Sequence, residues 1–135
     1  MATNKTNPKA GKKSAITKNE IISLFMLIRD AKNGNINRDA LIKYIMLRVK
    51  LKGLYDEYEK VRHEISEQTK PDGWQEGDSP DEWNESFRPV MEAWLNETVE
   101  IETKIFTEED CADFIISNPD QPGTFVDVVM ECLKM

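Results

Sequence analysis

Side chains that could perform catalysis are few in this 135-residue chain. His63 is the only histidine, and its neighbours Arg62 and Glu64 place it on a charged helix surface. General acid–base catalysis needs a positioned partner within hydrogen-bond reach of the imidazole. Because the sequence offers no such partner, we interpret His63 as a solvated surface residue. We predict no catalytic residues and no enzymatic activity.

Two further groups of residues invite a functional interpretation. The acids Glu108, Glu109, Asp110 and Asp113 could bind a divalent cation, but three of them fall in the first turn of a predicted helix, where the helix dipole favours them. We therefore expect no metal and no cofactor. Aromatic side chains could also line a groove, although their helical spacing is more typical of core packing or of a protein interface. These are Trp74, Trp83, Phe87 and Trp94.

The formal charge is divided between the two halves of the chain. Residues 1–63 carry fourteen Lys/Arg and six Asp/Glu, a net of +8, whereas residues 64–135 carry four and nineteen, a net of −15. The two halves sum to the overall −7. Charge on this scale governs partners and association rates rather than fold. It favours head-to-tail or mixed contacts between copies, or two partners of opposite charge.

Residues 1–15 form a basic segment without acids and with almost no apolar surface. Such a segment cannot bury enough surface to fold alone, so we predict a disordered or extended N-terminal arm. It could contact nucleic acid or an acidic protein surface, and an unbound solubilising tail explains it equally well. The basic residues of the arm are Lys5, Lys9, Lys12 and Lys13.

Residues 16–135 are predicted to form a single, mainly helical domain whose centre is one long helix. Thr17 and Glu20 form a capping box for a first helix that ends near Asn33-Gly34. The long helix covers about residues 37–68 and carries a heptad seam. The seam is longer than the rest of this small chain can cover, so we expect part of it to contact another molecule. The predicted interface residues on this helix are Leu47, Leu51, Leu54, Tyr58, Val61 and Ile65.

An acidic C-terminal helical unit is predicted over residues 79–135. A helix begins at Ser79-Pro80, and because of Pro89 it is expected to kink or break near residues 87–88. Thr107 caps a second helix. Between them lies one short strand near residues 98–106, in which apolar and charged residues alternate. An isolated strand leaves backbone groups unpaired, so it should pair either with loop 69–78 or with another chain. Val99 and Ile101 are therefore also predicted interface residues.

Cys111 and Cys132 lie in apolar helical patterns, and we interpret them as reduced core residues. The apolar run at residues 21–28 is too short to span a membrane, and no signal-peptide cleavage pattern follows it. The fold class is therefore mainly α with a minor β component.

The order of these elements resembles small helical proteins encoded by tailed bacteriophages and prophages. The likeness covers about residues 17–135 and lies in the long charged helix ending LKGLYDEYEKVRHEISEQ and in the segment VEIETKIFTEEDCADFI. It implies a non-enzymatic phage protein that acts by protein–protein association, as a small virion component or an assembly factor. Its partners would be other copies of itself or other phage proteins, in the virion or the host cytoplasm, without membrane contact. The alternative is a soluble acidic inhibitor or regulator that binds a host protein.

Overall fold

A computed structural model describes residues 14–135 and confirms a mainly helical fold built around one long helix. The arm residues Lys5, Lys9, Lys12 and Lys13 lie outside the described residues. The elements, in chain order, are β1 (Ser14–Thr17), α1 (Lys18–Ile28), α2 (Arg38–Thr69), α3 (Asp81–Leu95), β2 (Thr98–Ile101), α4 (Glu108–Ile116), α5 (Gly123–Val128) and a π-helical turn (Val129–Leu133).

Two helices begin with a capping box, as local sequence dictates. The Thr17 hydroxyl accepts a hydrogen bond from the Glu20 N–H at 3.1 Å, and the Glu20 carboxylate accepts one from the Thr17 N–H at 3.2 Å. Thr107 and Asp110 repeat the arrangement at the start of α4, with both distances 3.1 Å. A cap of this kind stabilises a helix by about 1 kcal/mol. Both predicted helix starts are confirmed.

The long helix α2 is the element on which the others pack. It contains 32 residues, so it is about 48 Å long. α1 packs against it, with the rings of Phe25 and Tyr55 5.1 Å apart. α3 packs along its C-terminal half, where the Trp83 indole donates to the Ser66 carbonyl at 2.9 Å. The predicted bounds of this helix are confirmed to within a residue or two.

The first helix is shorter than predicted, because it ends at Ile28 rather than near Gly34. Gly34 instead lies in the following loop with φ +64°, and a Cβ there would overlap the Ser117 side chain. The loop is held by Asn118, which accepts from the Lys32 N–H at 2.7 Å and donates to the Lys32 carbonyl at 2.9 Å. The glycine therefore serves a contact between the loop and the C-terminal unit rather than a helix cap.

Strand β2 pairs with β1, and both predictions for its partner were wrong. The strands are antiparallel, with Ser14 opposite Ile101 and Thr17 opposite Thr98. β1 immediately precedes α1 and includes Ser14 and Ala15, the last two residues assigned to the arm. Because this segment is short and does not alternate, the sequence pattern does not distinguish it from a tail.

The strand is also shorter than predicted, because β2 ends at Ile101. The chain then turns toward the C-terminus, where the N–H groups of Ile105 and Phe106 both donate to the Leu133 carbonyl at 2.9 and 2.8 Å. Ile101, Thr103 and Ile105 are all buried, so the alternating pattern reflects burial of every second side chain. The strand itself is not continued, and the next β pairing of this segment is an isolated parallel bridge between Phe106 and Lys134.

Helix α3 continues through Pro89, so the predicted break is absent, and a kink near residues 87–88 stays a prediction. Proline removes one helical hydrogen bond and crowds the carbonyl four residues earlier, here that of Glu85. Both Pro89 and Glu85 are exposed, so water can satisfy that carbonyl. The helix therefore accommodates the proline on its solvent side.

The core lies where the first half of α2 meets the C-terminal unit. Its centre is a group of rings with no more than 1% exposure, in which Phe114 lies 5.2 Å from Tyr44, 5.4 Å from Phe106 and 5.5 Å from Phe125. α1 closes one side of this group with Ile21, Leu24 and Ile28. One continuous core thus joins both halves of the chain.

Candidate functional site

The heptad seam of α2 lies inside the chain's own fold. Leu47, Leu51 and Ile65 are buried, Leu54, Tyr58 and Val61 are half-buried, and in β2 Ile101 is buried and Val99 half-buried. The four buried side chains are therefore enclosed by the fold, whereas a partner contact through the four half-buried ones stays a prediction. The sequence argument underestimated how much of the seam α1, α3, the sheet and the C-terminal unit can cover.

The opposite face of α2 carries an apolar surface that residues 14–135 do not cover. Ile42, Ile45, Met46 and Val49 are 45%, 50%, 60% and 67% exposed. Their spacing of three, four and seven residues places them in one row along the helix. We call these four residues the α2 stripe. Contiguous exposed apolar side chains of this kind typically mark interaction sites, whereas single ones are common on any protein surface.

The α2 stripe is bordered by cations. Residues 38–52 contain five Lys/Arg and a single acid. Within the part of the chain that the structure describes, Arg38, Lys43 and Lys50 form no ion pair, and Lys52 pairs only with Asp56 on its own helix at 2.9 Å. The positive charge around the stripe is therefore available to an acidic partner.

Gly53 follows Val49 by one helical turn and lies at the end of the α2 stripe. A Cβ built on Gly53 would meet no atom within 4 Å. A glycine inside a helix costs roughly 0.5–1 kcal/mol relative to alanine. No contact within residues 14–135 requires this glycine, and its effect is to keep that end of the stripe flat.

The C-terminal unit presents a surface of the opposite charge. Residues 105–133 contain seven acids and no Lys or Arg. On α5 and the π-helical turn, Val126 and Met130 are 39% and 36% exposed, and the exposed acids Asp127 and Glu131 lie beside them. We call these four residues the acidic C-terminal face. It combines an apolar pair with an acidic pair, each at a spacing of four residues.

The three tryptophans are half-buried and pack within the chain, and Trp83 also lines a small surface groove with Phe87. Trp74 and Trp83 meet edge to face with ring centroids 4.7 Å apart, and the Trp74 indole donates to the Ser79 carbonyl at 3.1 Å. Trp94 packs near Tyr58 at 6.2 Å, with the Lys18 ammonium 4.3 Å from its ring. These contacts hold loop 70–80 and α3 against α2, although none of the three rings belongs to the buried core.

The residues considered for catalysis or for metal binding are either exposed or engaged in contacts within the chain. His63 is exposed on α2. Asp110 is occupied by its capping box, and Glu108 lies 3.5 Å from the Lys134 ammonium. Among residues 14–135, no three His, Cys, Asp or Glu side chains are grouped so that they could hold a metal ion.

Both cysteines are free thiols with low reactivity. Cys111 is buried and Cys132 half-buried. Burial raises the pKa of each thiol, and the nearby carboxylates of Asp110 and Glu131 raise the pKa of Cys111 and of Cys132 respectively. Because the thiolate is the nucleophilic form, a raised pKa suppresses nucleophilic use. Their positions agree with apolar packing.

Comparisons with protein-family models, with curated proteins and with solved structures found no match for this chain. Within residues 14–135, no helix combines the length and the apolar character needed to cross a bilayer. The α2 stripe and the acidic C-terminal face are therefore the features from which function is argued. Sequence reasoning missed the stripe, although residues 40–51 are apolar around most of the helix, the same signal that indicated burial of α1.

Proposed function

We propose that this protein is a non-enzymatic tailed-phage protein that acts by protein–protein association, as a small virion component or an assembly factor. The α2 stripe carries the proposal. Four neighbouring apolar side chains, 45–67% exposed on a regular helix and bordered by cations, form the kind of anchor row that helical recognition uses. Its partners would be other copies of the chain or other phage proteins.

The phage context rests on the order of elements. In the phage proteins that the chain resembles, a long helix rich in Glu and Lys, a short acidic strand and a small C-terminal helical unit recur. Here α2, β2 and α4–α5 follow one another in that order, with α3 between α2 and β2. On this proposal the protein acts in the virion or in the host cytoplasm during assembly.

A second candidate is favoured by the acidic C-terminal unit. Seven acids without a Lys or Arg in residues 105–133 would suit a basic patch on a host protein. In that case the chain would be a soluble inhibitor or regulator rather than a structural component.

Quantitative mass spectrometry of particles tests these alternatives. Mature and precursor particles are purified from a culture that produces the phage encoding this chain, and its copy number is measured relative to the major capsid protein. A fixed ratio in mature particles supports a virion component, and a fixed ratio only in precursors supports an assembly factor. Absence from both, with a stoichiometric host-protein complex in the lysate, supports the inhibitor and overturns the proposal.

A further inference from the structure

We infer that copies of this chain bind one another head to tail, with the α2 stripe of one copy on the acidic C-terminal face of the next. The inference rests on the proposed association function and names its surfaces. It follows from the match between two different exposed surfaces of the same molecule.

The two surfaces have the same layout with opposite charge. On α2, the apolar row runs beside Lys43 and Lys50, which lie on one flank of the helix. On the C-terminal face, the apolar row of Val126 and Met130 runs beside the acidic row of Asp127 and Glu131. When the apolar rows meet, the flexible lysines can reach the carboxylates alongside.

The charges favour this pairing over a symmetric one. Two α2 stripes facing each other would bring together two regions that each carry five cations and one acid over residues 38–52. Like charges across an interface are unfavourable, whereas Asp127 and Glu131 of the acidic C-terminal face are exposed and form no ion pair within residues 14–135, so they offer the complement.

An anionic membrane is a weaker fit for the stripe. The stripe contains no aromatic residue, although aromatics commonly anchor helices at membrane interfaces. The −15 net charge of residues 64–135 would also oppose approach to an anionic surface.

Because the two surfaces differ, each bound copy still exposes one of them. Contacts of this heterologous kind form rings when the rotation between copies closes, and open chains when it does not. The inference therefore predicts assembly that grows with concentration rather than a dimer that stops at two.

The test uses two double variants of the full chain and a matched control. Met46→Asp with Val49→Asp removes the α2 stripe, and Asp127→Lys with Glu131→Lys reverses the acidic face. Val90→Asp makes the same type of apolar-to-acid change once, on exposed α3 and outside both surfaces. All five positions are exposed, so each variant should retain the circular dichroism spectrum and melting behaviour of the fold.

Sedimentation velocity over a concentration series measures the association. The native chain should self-associate, more weakly at high salt, and each double variant alone should show a dissociation constant higher by about tenfold or more. Val90→Asp should match the native chain. The two double variants mixed should form a one-to-one complex that grows no further, because only one intact pair of surfaces remains.

Several outcomes would overturn the inference. A mixture of the two double variants that stays monomeric would overturn it. Self-association of the acidic-face variant at native strength would also overturn it, because that result would indicate stripe-on-stripe contact. A native chain that is monomeric in solution yet sediments with phosphatidylserine–phosphatidylcholine vesicles through the stripe would identify a membrane surface instead. A monomeric chain that is nevertheless found at fixed copy number in particles would refute head-to-tail binding and leave the proposed function intact.

Discussion

Asn118 is expected to contribute more to stability than any other polar side chain near the core. Its amide is 8% exposed and joins the loop after α1 to the end of α4. It accepts from the Lys32 N–H at 2.7 Å and donates to the carbonyls of Lys32 and Phe114 at 2.9 and 2.8 Å. Asn118→Ala removes all three bonds and leaves both backbone groups of Lys32 without this partner.

The loss can be estimated from the groups left unpaired. A buried polar group without its hydrogen-bond partner costs about 1–3 kcal/mol, and water can reach the partly buried Lys32 groups. We therefore expect Asn118→Ala to lower the free energy of unfolding by about 2–4 kcal/mol. In urea, with a slope of about 2 kcal/mol/M, the midpoint should fall by about 1–2 M at unchanged slope.

Asn118→Asp provides a control of nearly the same shape. Its carboxylate can still accept from Lys32 N–H but faces the two carbonyl oxygens without a donor, so at neutral pH it should destabilise at least as much as alanine. The fold disfavours the charged form and so raises the pKa of this carboxyl. The deficit relative to the native chain should therefore shrink as pH falls and the carboxyl gains a proton. An Asn118→Ala midpoint within about 0.3 M of the native value would refute this account of the bridge.

Two comparisons of paired sites follow from the same structure. Gly34→Ala should destabilise the fold by about 1–3 kcal/mol, because Gly34 has φ +64° and faces Ser117. Gly53→Ala should instead stabilise the fold by about 0.5–1 kcal/mol, because a Cβ there meets no atom. Thermal melts of the two variants measure both effects, and equal melting temperatures would contradict both explanations. Alkylation of the native chain by iodoacetamide, followed by mass spectrometry, should modify half-buried Cys132 before fully buried Cys111, and the reverse order would mean that the C-terminal core opens more readily than its packing implies.

The sequence predicted best those features that depend on neighbouring residues. Thr17 with Glu20, Thr107 as a cap, and the bounds of α2 all follow from interactions within one helix turn or from a sustained periodic pattern. The fold class follows from these elements. Each is decided by chemistry that a short window of sequence contains.

Features that depend on distant contacts could not be predicted in the same way. Gly34 resembles a helix C-cap, and only its approach to Ser117, 83 positions later, shows that it belongs to a loop contact. The partner of β2 was missed because β1 has only four residues and no alternation. Its pairing depends on α1 and α3 bringing the two segments together.

The α2 stripe was missed in the sequence for a different reason. The positions of the α2 stripe were visible in the sequence, but the seam on the other side of the helix was equally apolar and more regular. Which of two apolar faces remains exposed depends on how the rest of the chain packs. A single sequence fixes the faces of a helix and leaves open which face the fold covers.

The pairing of β1 with β2 also constrains the order in which the protein folds. The strands close a loop of roughly 80 residues, and the entropy lost on closing a loop rises with the logarithm of its length. The four residue pairs of this sheet offset only a small part of that entropy loss. Once α1 and α3 have packed on α2, however, the ends of the loop are already near one another and the remaining cost is small. We therefore expect the strand pair to form after the helices have packed, and the packing of the helices to determine the folding rate.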